Sequence, residues 1–174
     1  MLGPQPTTEV TSVSHLDLQR YLGLWFEIGR LPLRFEDEDA RDVTATYTLN
    51  DDGTVRVDNR CIDGEGKPTQ AVGQAIADDD HPAQLQVTFL PAGLRWIPGT
   101  KANYWVLKID DDYRHALVGT PDRKHLWLLA RETRVDAATE TRYLAEAVRQ
   151  GFVVSSWIRP VQTGQRVTDE LLGR

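Results

Sequence analysis

The sequence predicts an all-β fold: an eight-stranded up-and-down antiparallel β-barrel with one C-terminal α-helix packed on it and a short final strand. Three observations carry that expectation. Eight segments alternate apolar and polar residues with period two, short turns rich in Asp, Gly and Pro separate them, and one segment has helical spacing. A two-sheet sandwich would use similar strands but needs at least one long crossover, and the connections here are mostly short.

The elements follow in order. "WFEIGRL" opens the series. In "VTATYTL", Val43, Ala45, Tyr47 and Leu49 alternate with Thr44, Thr46 and Thr48, as in a strand with one buried face. "NDDG" is turn chemistry, and "TVRVDNRC" sets Val55, Val57, Asn59 and Cys61 opposite Arg56, Asp58 and Arg60. "GEGKP" turns the chain into "QAVGQAIA". After "DDDHP", "QLQVTF" places Leu85, Val87 and Phe89 on one face. "NYWVLKI", "RHALVG" and "HLWLLAR" complete the eight. Asp136 is a good N-cap for "AATETRYLAEAVRQG", where Ala137, Leu144, Ala147 and Val148 recur at helical spacing and Gly151 ends the run. "FVVSSWI" reads as the short final strand.

At 174 residues the chain is long enough for a single core. Residues 1–14 read as an N-terminal tail, 15–160 as the barrel with its helix and final strand, and 161–174 as a C-terminal tail. The net charge of −6 is spread along the chain, and no run of cations is placed to follow a phosphate backbone, so nucleic acid is not an expected partner. Cys61 is the only cysteine, which excludes a disulfide framework and a Cys-rich zinc site.

An eight-stranded barrel has an interior just wide enough for one small ligand. Its inner wall is expected from Val43, Ala45, Tyr47, Val55, Val57, Leu85, Val87 and Phe89, with tight core packing as the alternative role for each. Gly73, Ala75 and Ala77 would leave room on the fourth strand. Trp127 shares a face with His125 and Leu129, where its indole N–H would meet a polar ligand group. Asn59 is the one polar side chain on an otherwise apolar face, suited to a ligand headgroup or an ordered water. The loops after strands one, three, five and seven rim the mouth. In one of them Leu94, Trp96 and Ile97 would cap an acyl chain, touch a bilayer, form a homodimer contact or fold back on the wall. Arg34, Lys101, Arg123 and Lys124 stand in or beside these loops as partners for an anionic group or as solvated charges.

At the opposite end, Trp25 opens the first strand and Arg131 ends the eighth. The closing barrel makes them neighbours, so a guanidinium can stack on the indole, while Gly23 lets the entering chain pass beneath. Gly23-Leu24-Trp25-Phe26-Glu27-Ile28 resembles the G-x-W signature of the lipocalins, and Arg131 falls where their last strand carries an arginine. "VTATYTLNDDGTVRVDNRC", "DYRHALVGTPDRKHLWLLAR" and "AVRQGFVVSSWI" extend the resemblance to the bacterial lipocalins, outer-membrane-associated relatives of apolipoprotein D, over about Leu16 to Ile158. The resemblance implies a carrier of a fatty acid or lysophospholipid in the cell envelope, with Trp127 and Trp96 as lipid contacts near the mouth. It implies no cofactor. Bacterial lipocalins commonly have a signal peptide ending in a lipid-modified cysteine. "MLGPQPTTEVTSVS" has neither, so the anchor is not carried over and a cytosolic location stays open beside the envelope.

Enzyme chemistry is not expected. His15, His81, His115 and His125 lack metal-site spacing, and no nucleophile elbow or phosphate-cradling loop is present. Cys61 is the one candidate nucleophile, since some lipocalin-fold proteins isomerise lipid peroxides with a barrel thiol. A small buried hydrophobe is its other reading.

Overall fold

Asp17 caps a single helical turn, α1 (Leu18–Tyr21), by accepting a hydrogen bond from the Arg20 N–H, and Gly23 then turns the chain into the first strand at φ 101°. The computed structural model describes residues 8–34, 36–91 and 101–174. The strands are β1 (Gly23–Arg30), β2 (Arg41–Leu49), β3 (Val55–Ile62), β4 (Pro68–Ala77), β5 (Gln84–Thr88), β6 (Ala102–Ile109), β7 (His115–Gly119) and β8 (Leu126–Ala130), followed by α2 (Ala137–Arg149). Each strand pairs antiparallel with the next, and β8 returns to β1, which closes the barrel. The turn α1 has no apolar period and was not legible in the sequence.

Alternation divides the apolar residues into two layers. Tyr47, Val57, Leu85, Val106, Val118 and Leu129 form an inner core with Trp25. Ile28, Leu117, Leu126, Leu128 and Ala130 point outward and are covered by Tyr143 and Ala147 of α2 and by Phe152. The helix buries Thr139, Tyr143 and Ala147, spaced by four; of the expected stripe Ala147 is buried and Leu144 half-buried, while Ala137 and Val148 are exposed. Tyr143 decides this. Its ring lies under the ammonium of Lys108 and its hydroxyl reaches the His115 carbonyl, which turns that face of α2 onto β6 and β7.

The expected final strand shrinks to one bridge, in which Arg30 and Ile158 exchange N–H···O bonds of 2.9 and 2.8 Å. Pro160 follows two residues later, at the next ladder position, and has no N–H to donate. Both tails pack on the barrel. Val10 is buried beneath α2, and Val13 donates to the Val106 carbonyl. Beyond Pro160 the chain straps the outside of β2 and β3: Thr163 donates to the fully buried Asp42 carboxylate, and Arg60 donates to the Val167 carbonyl and to Asp169.

A β-bulge in β1 bears on the lumen. Glu27 pairs with Leu129 and Arg30 with Trp127, while Gly29 pairs with the outward Leu128. The extra residue places Glu27 and Arg30, three apart, on the same inner face, whereas strict alternation would separate them.

Candidate ligand-binding site

The inner wall changes character along its depth. Toward the mouth Ala71 and Ala102 are exposed, whereas Gly73, Ala75 and Tyr104, further along the same strands, turn inward, and Asn59 is half-buried. Val57 and Ala75 are buried deeper in, and so is Val87, the register partner of Ala102. Lower still, Tyr21, Tyr47 and Tyr104 converge: the Tyr104 hydroxyl lies 2.5 Å from that of Tyr21 and 2.8 Å from that of Tyr47. Together with Leu18, Val55, Val57, Ala75, Leu85 and Val87 they line an apolar cavity of only about 10 Å³, about the space one water needs. At this depth the barrel is filled by its own side chains.

The closed end is sealed by the G-x-W turn. Trp25 is fully buried, donates its indole N–H to the Tyr21 carbonyl and lies beneath the Arg131 guanidinium, 3.7 Å from the ring centroid. A Cβ on Gly23 would lie 3.5 Å from Arg131, an ordinary contact, so it is the positive φ that favours glycine there.

The wall residues read from the sequence occupy distinct levels. Tyr47, Val57, Leu85 and Val87 are buried around the lower cavity. Asn59 stands above them, opposite Ala45 and Ala71. Trp127 is half-buried against the inner core, between Val118 and Arg30 in the ladder, and stacks on the His125 ring at 6.0 Å. Phe89, 48% exposed, lies past the end of β5 at the rim. Gly73 does not leave the room expected of it, because a Cβ there would come within 2.5 Å of the Thr88 carbonyl and 2.8 Å of the Phe89 ring. Ala77 packs against the inner core. Leu94, Trp96 and Ile97 lie outside the described residues. Of the mouth cations, Arg34, Lys101 and Lys124 are exposed, whereas Arg123 donates to the carbonyls of Gln150 and Thr8 and so clamps the N-terminal segment to α2.

An interior charge cluster completes the upper wall. Arg30, fully buried, contacts Glu27 at 3.3 Å and Glu36 at 3.1 Å and donates to the Asp37 carbonyl at 2.7 Å. Burial, and then the neighbouring Glu36 carboxylate, push the Glu27 carboxyl well above the ordinary glutamate range, against the opposing pull of Arg30. Burial raises Glu36 as well. Both carboxyls are thereby shifted toward the protonated form beside one guanidinium. Its sequence signal is a Glu and an Arg within an apolar strand, charges that a barrel interior tolerates only when paired.

Cys61 is half-buried with its sulfur 3.1 Å from the Thr69 hydroxyl. Burial raises its thiol, the Thr69 contact opposes that, and the Glu36, Glu27 and Asp63 charges add to the rise. That surrounding is the reverse of what activates a thiolate. Among the described residues no cluster of His, Cys, Asp and Glu is arranged to hold a metal ion, and no helix is long and apolar enough to cross a membrane.

A closed eight-stranded up-and-down barrel with a Trp–Arg plug at one end and a C-terminal helix packed on its outer wall is the architecture of the small-ligand-binding barrels. The chain belongs to the lipocalins, a family of small-hydrophobic-ligand binders and carriers: residues 16–162 match the Lipocalin-like domain family. It is 41% identical over 150 residues to temperature-induced lipocalin-1 of Arabidopsis thaliana, covering 84% of this chain and 80% of that one. It is 39% identical over 163 residues to the outer membrane lipoprotein Blc of Escherichia coli (strain K12), covering 92% and 88%. Apolipoprotein D of Cavia porcellus is 33% identical over 135 residues, covering 73% of this chain and 67% of its own length. Among solved structures, insecticyanin of the tobacco hornworm Manduca sexta superposes with a TM-score of 0.69 at 20% identity, covering 92% and 93%, which is a likeness of fold.

Proposed function

We propose that this lipocalin carries one amphipathic lipid, a fatty acid or lysophospholipid, with its acyl tail in the upper lumen and its polar end at the mouth. The observation that carries this reading is the gradient of the inner wall, from exposed Ala71 and Ala102 to buried Val57 and Ala75. Apolar surface that is open at one end is surface a tail can cover, at about 25 cal/mol per Å² before ordering costs. Trp127 and Asn59 stand at the level where tail gives way to headgroup, the first offering an aromatic edge and an N–H donor, the second both a donor and an acceptor.

Native mass spectrometry of the gently purified protein, followed by organic extraction, tests the reading. A discrete excess mass that is released as a fatty acid or lysophospholipid is the expected result. A bare protein that also takes up no member of a panel of such lipids would overturn it.

A further inference from the structure

We propose that the tyrosines at the base of the lumen, Tyr104 and Tyr47 in particular, are a ruler that sets the length of acyl chain the barrel accepts. This rests on the reading of the barrel as an acyl-lipid carrier. Three facts point to it. The cavity where these rings meet holds only about 10 Å³, whereas Ala71 of β4 and Ala102 of β6, toward the other end of the barrel, are exposed. The rings cross one another edge to face, Tyr47 and Tyr104 at 80° with centroids 6.0 Å apart and Tyr21 and Tyr104 at 84° and 6.5 Å, which builds a stop across the barrel. Their hydroxyls are engaged with one another at 2.5 and 2.8 Å, so the floor presents ring carbon to the space above it.

The chemistry of such a floor favours entry tail first. A terminal methyl loses nothing against aromatic edges, whereas a carboxylate or phosphate would give up its water among rings whose hydroxyls are already engaged with one another. Tyr104 is also the one of the three that is only half-buried, with its ring lining the cavity, so it is the first a descending chain meets. Trp25, fully buried in the inner core, fills the plug behind the rings, and no further depth is gained without removing a ring. Tyr21 packs on Trp25 with ring centroids 5.1 Å apart and belongs to the plug itself, which leaves Tyr104 and Tyr47 as the adjustable stop.

The test is a homologous series of saturated lysophosphatidylcholines, or of the matching fatty acids, titrated against the whole chain and three variants. In the wild type the Kd should fall about fourfold per added methylene while the tail still finds apolar wall, then stop falling at one chain length. Tyr104→Phe, which keeps the ring and loses the hydroxyl, should leave that break where it is. Tyr104→Val should move it to longer chains, and Tyr47→Leu should do the same, which keeps the test valid if one variant fails to fold. A cooperatively melting Tyr104→Val or Tyr47→Leu protein whose break stays at the wild-type length would overturn the ruler while leaving the carrier reading intact. Failure of the wild type to bind any member of either series would instead remove the carrier reading itself.

Discussion

Arg131 stands over Trp25 with its guanidinium 3.7 Å from the indole centroid, and its nitrogens donate to the carbonyls of Arg20, Tyr21, Leu22, Leu24 and Tyr113. One side chain at the end of β8 thereby ties together carbonyls of α1, the start of β1 and the β6–β7 turn. Trp25→Ala opens a cavity under that arginine and should cost about 3–5 kcal/mol, read as a fall in melting temperature of about 2–4 °C per kcal/mol. An unchanged melting curve would mean that the closed end is held by something else.

Glu27 supplies a pH dependence. Its carboxyl titrates higher in the folded chain than when unfolded, so the native state holds the extra proton. The stability from this group is therefore full below the ordinary glutamate range and is lost as pH rises through the folded value. Glu27→Gln keeps a neutral hydrogen-bonding side chain and leaves Glu36 as the counter-ion of Arg30. Denaturant midpoints measured from pH 5 to 9 should fall more steeply for the wild type than for the variant, and parallel profiles would contradict the raised Glu27 carboxyl.

Gly29 meets Trp157 at close range: a Cβ would lie 2.3 Å from the indole Cζ2. Gly29→Ala should destabilise by about 1–3 kcal/mol through overpacking. Adding Trp157→Ala should make the second cost smaller than it is alone, since the clash partner has gone. Additivity in that double-mutant cycle would show that the two do not touch.

Trp127 is half-buried at the upper wall, so its loss should weaken binding more than folding. Trp127→Ala is expected to raise the Kd for a bound lipid roughly ten- to a hundredfold with a modest change in melting temperature. Equal affinity would take Trp127 out of the site.

What the sequence showed and what it hid have separate physical causes. The inner faces around Val55, Val57, Leu85 and Val87 were legible because the pleat ties side-chain direction to parity, and the plug because Trp25 and Arg131 end neighbouring strands. The Glu27–Arg30 pairing was not, because one extra residue at the β1 bulge reverses parity without a mark in composition. The same holds for Asp42 with Thr163, 121 residues apart, since no period links them. The helix face was misassigned because Tyr143, the residue that orients α2, carries a hydroxyl that pattern counting treats as polar.

The C-terminal strap has a dynamic consequence. Its hold on β2 and β3 rests on polar links, from Gln162 to the carbonyls of Glu27 and Val43, from Thr163 to Asp42 and from Arg60 to Asp169, while Val167 is its buried apolar anchor. A segment with so little apolar burial forms a separate cooperative unit whose opening free energy lies below that of the barrel. Amide hydrogen exchange should release the Thr163 N–H well before those of β1 and β8, so that the molecule sheds its outer strap long before the seam of the barrel yields.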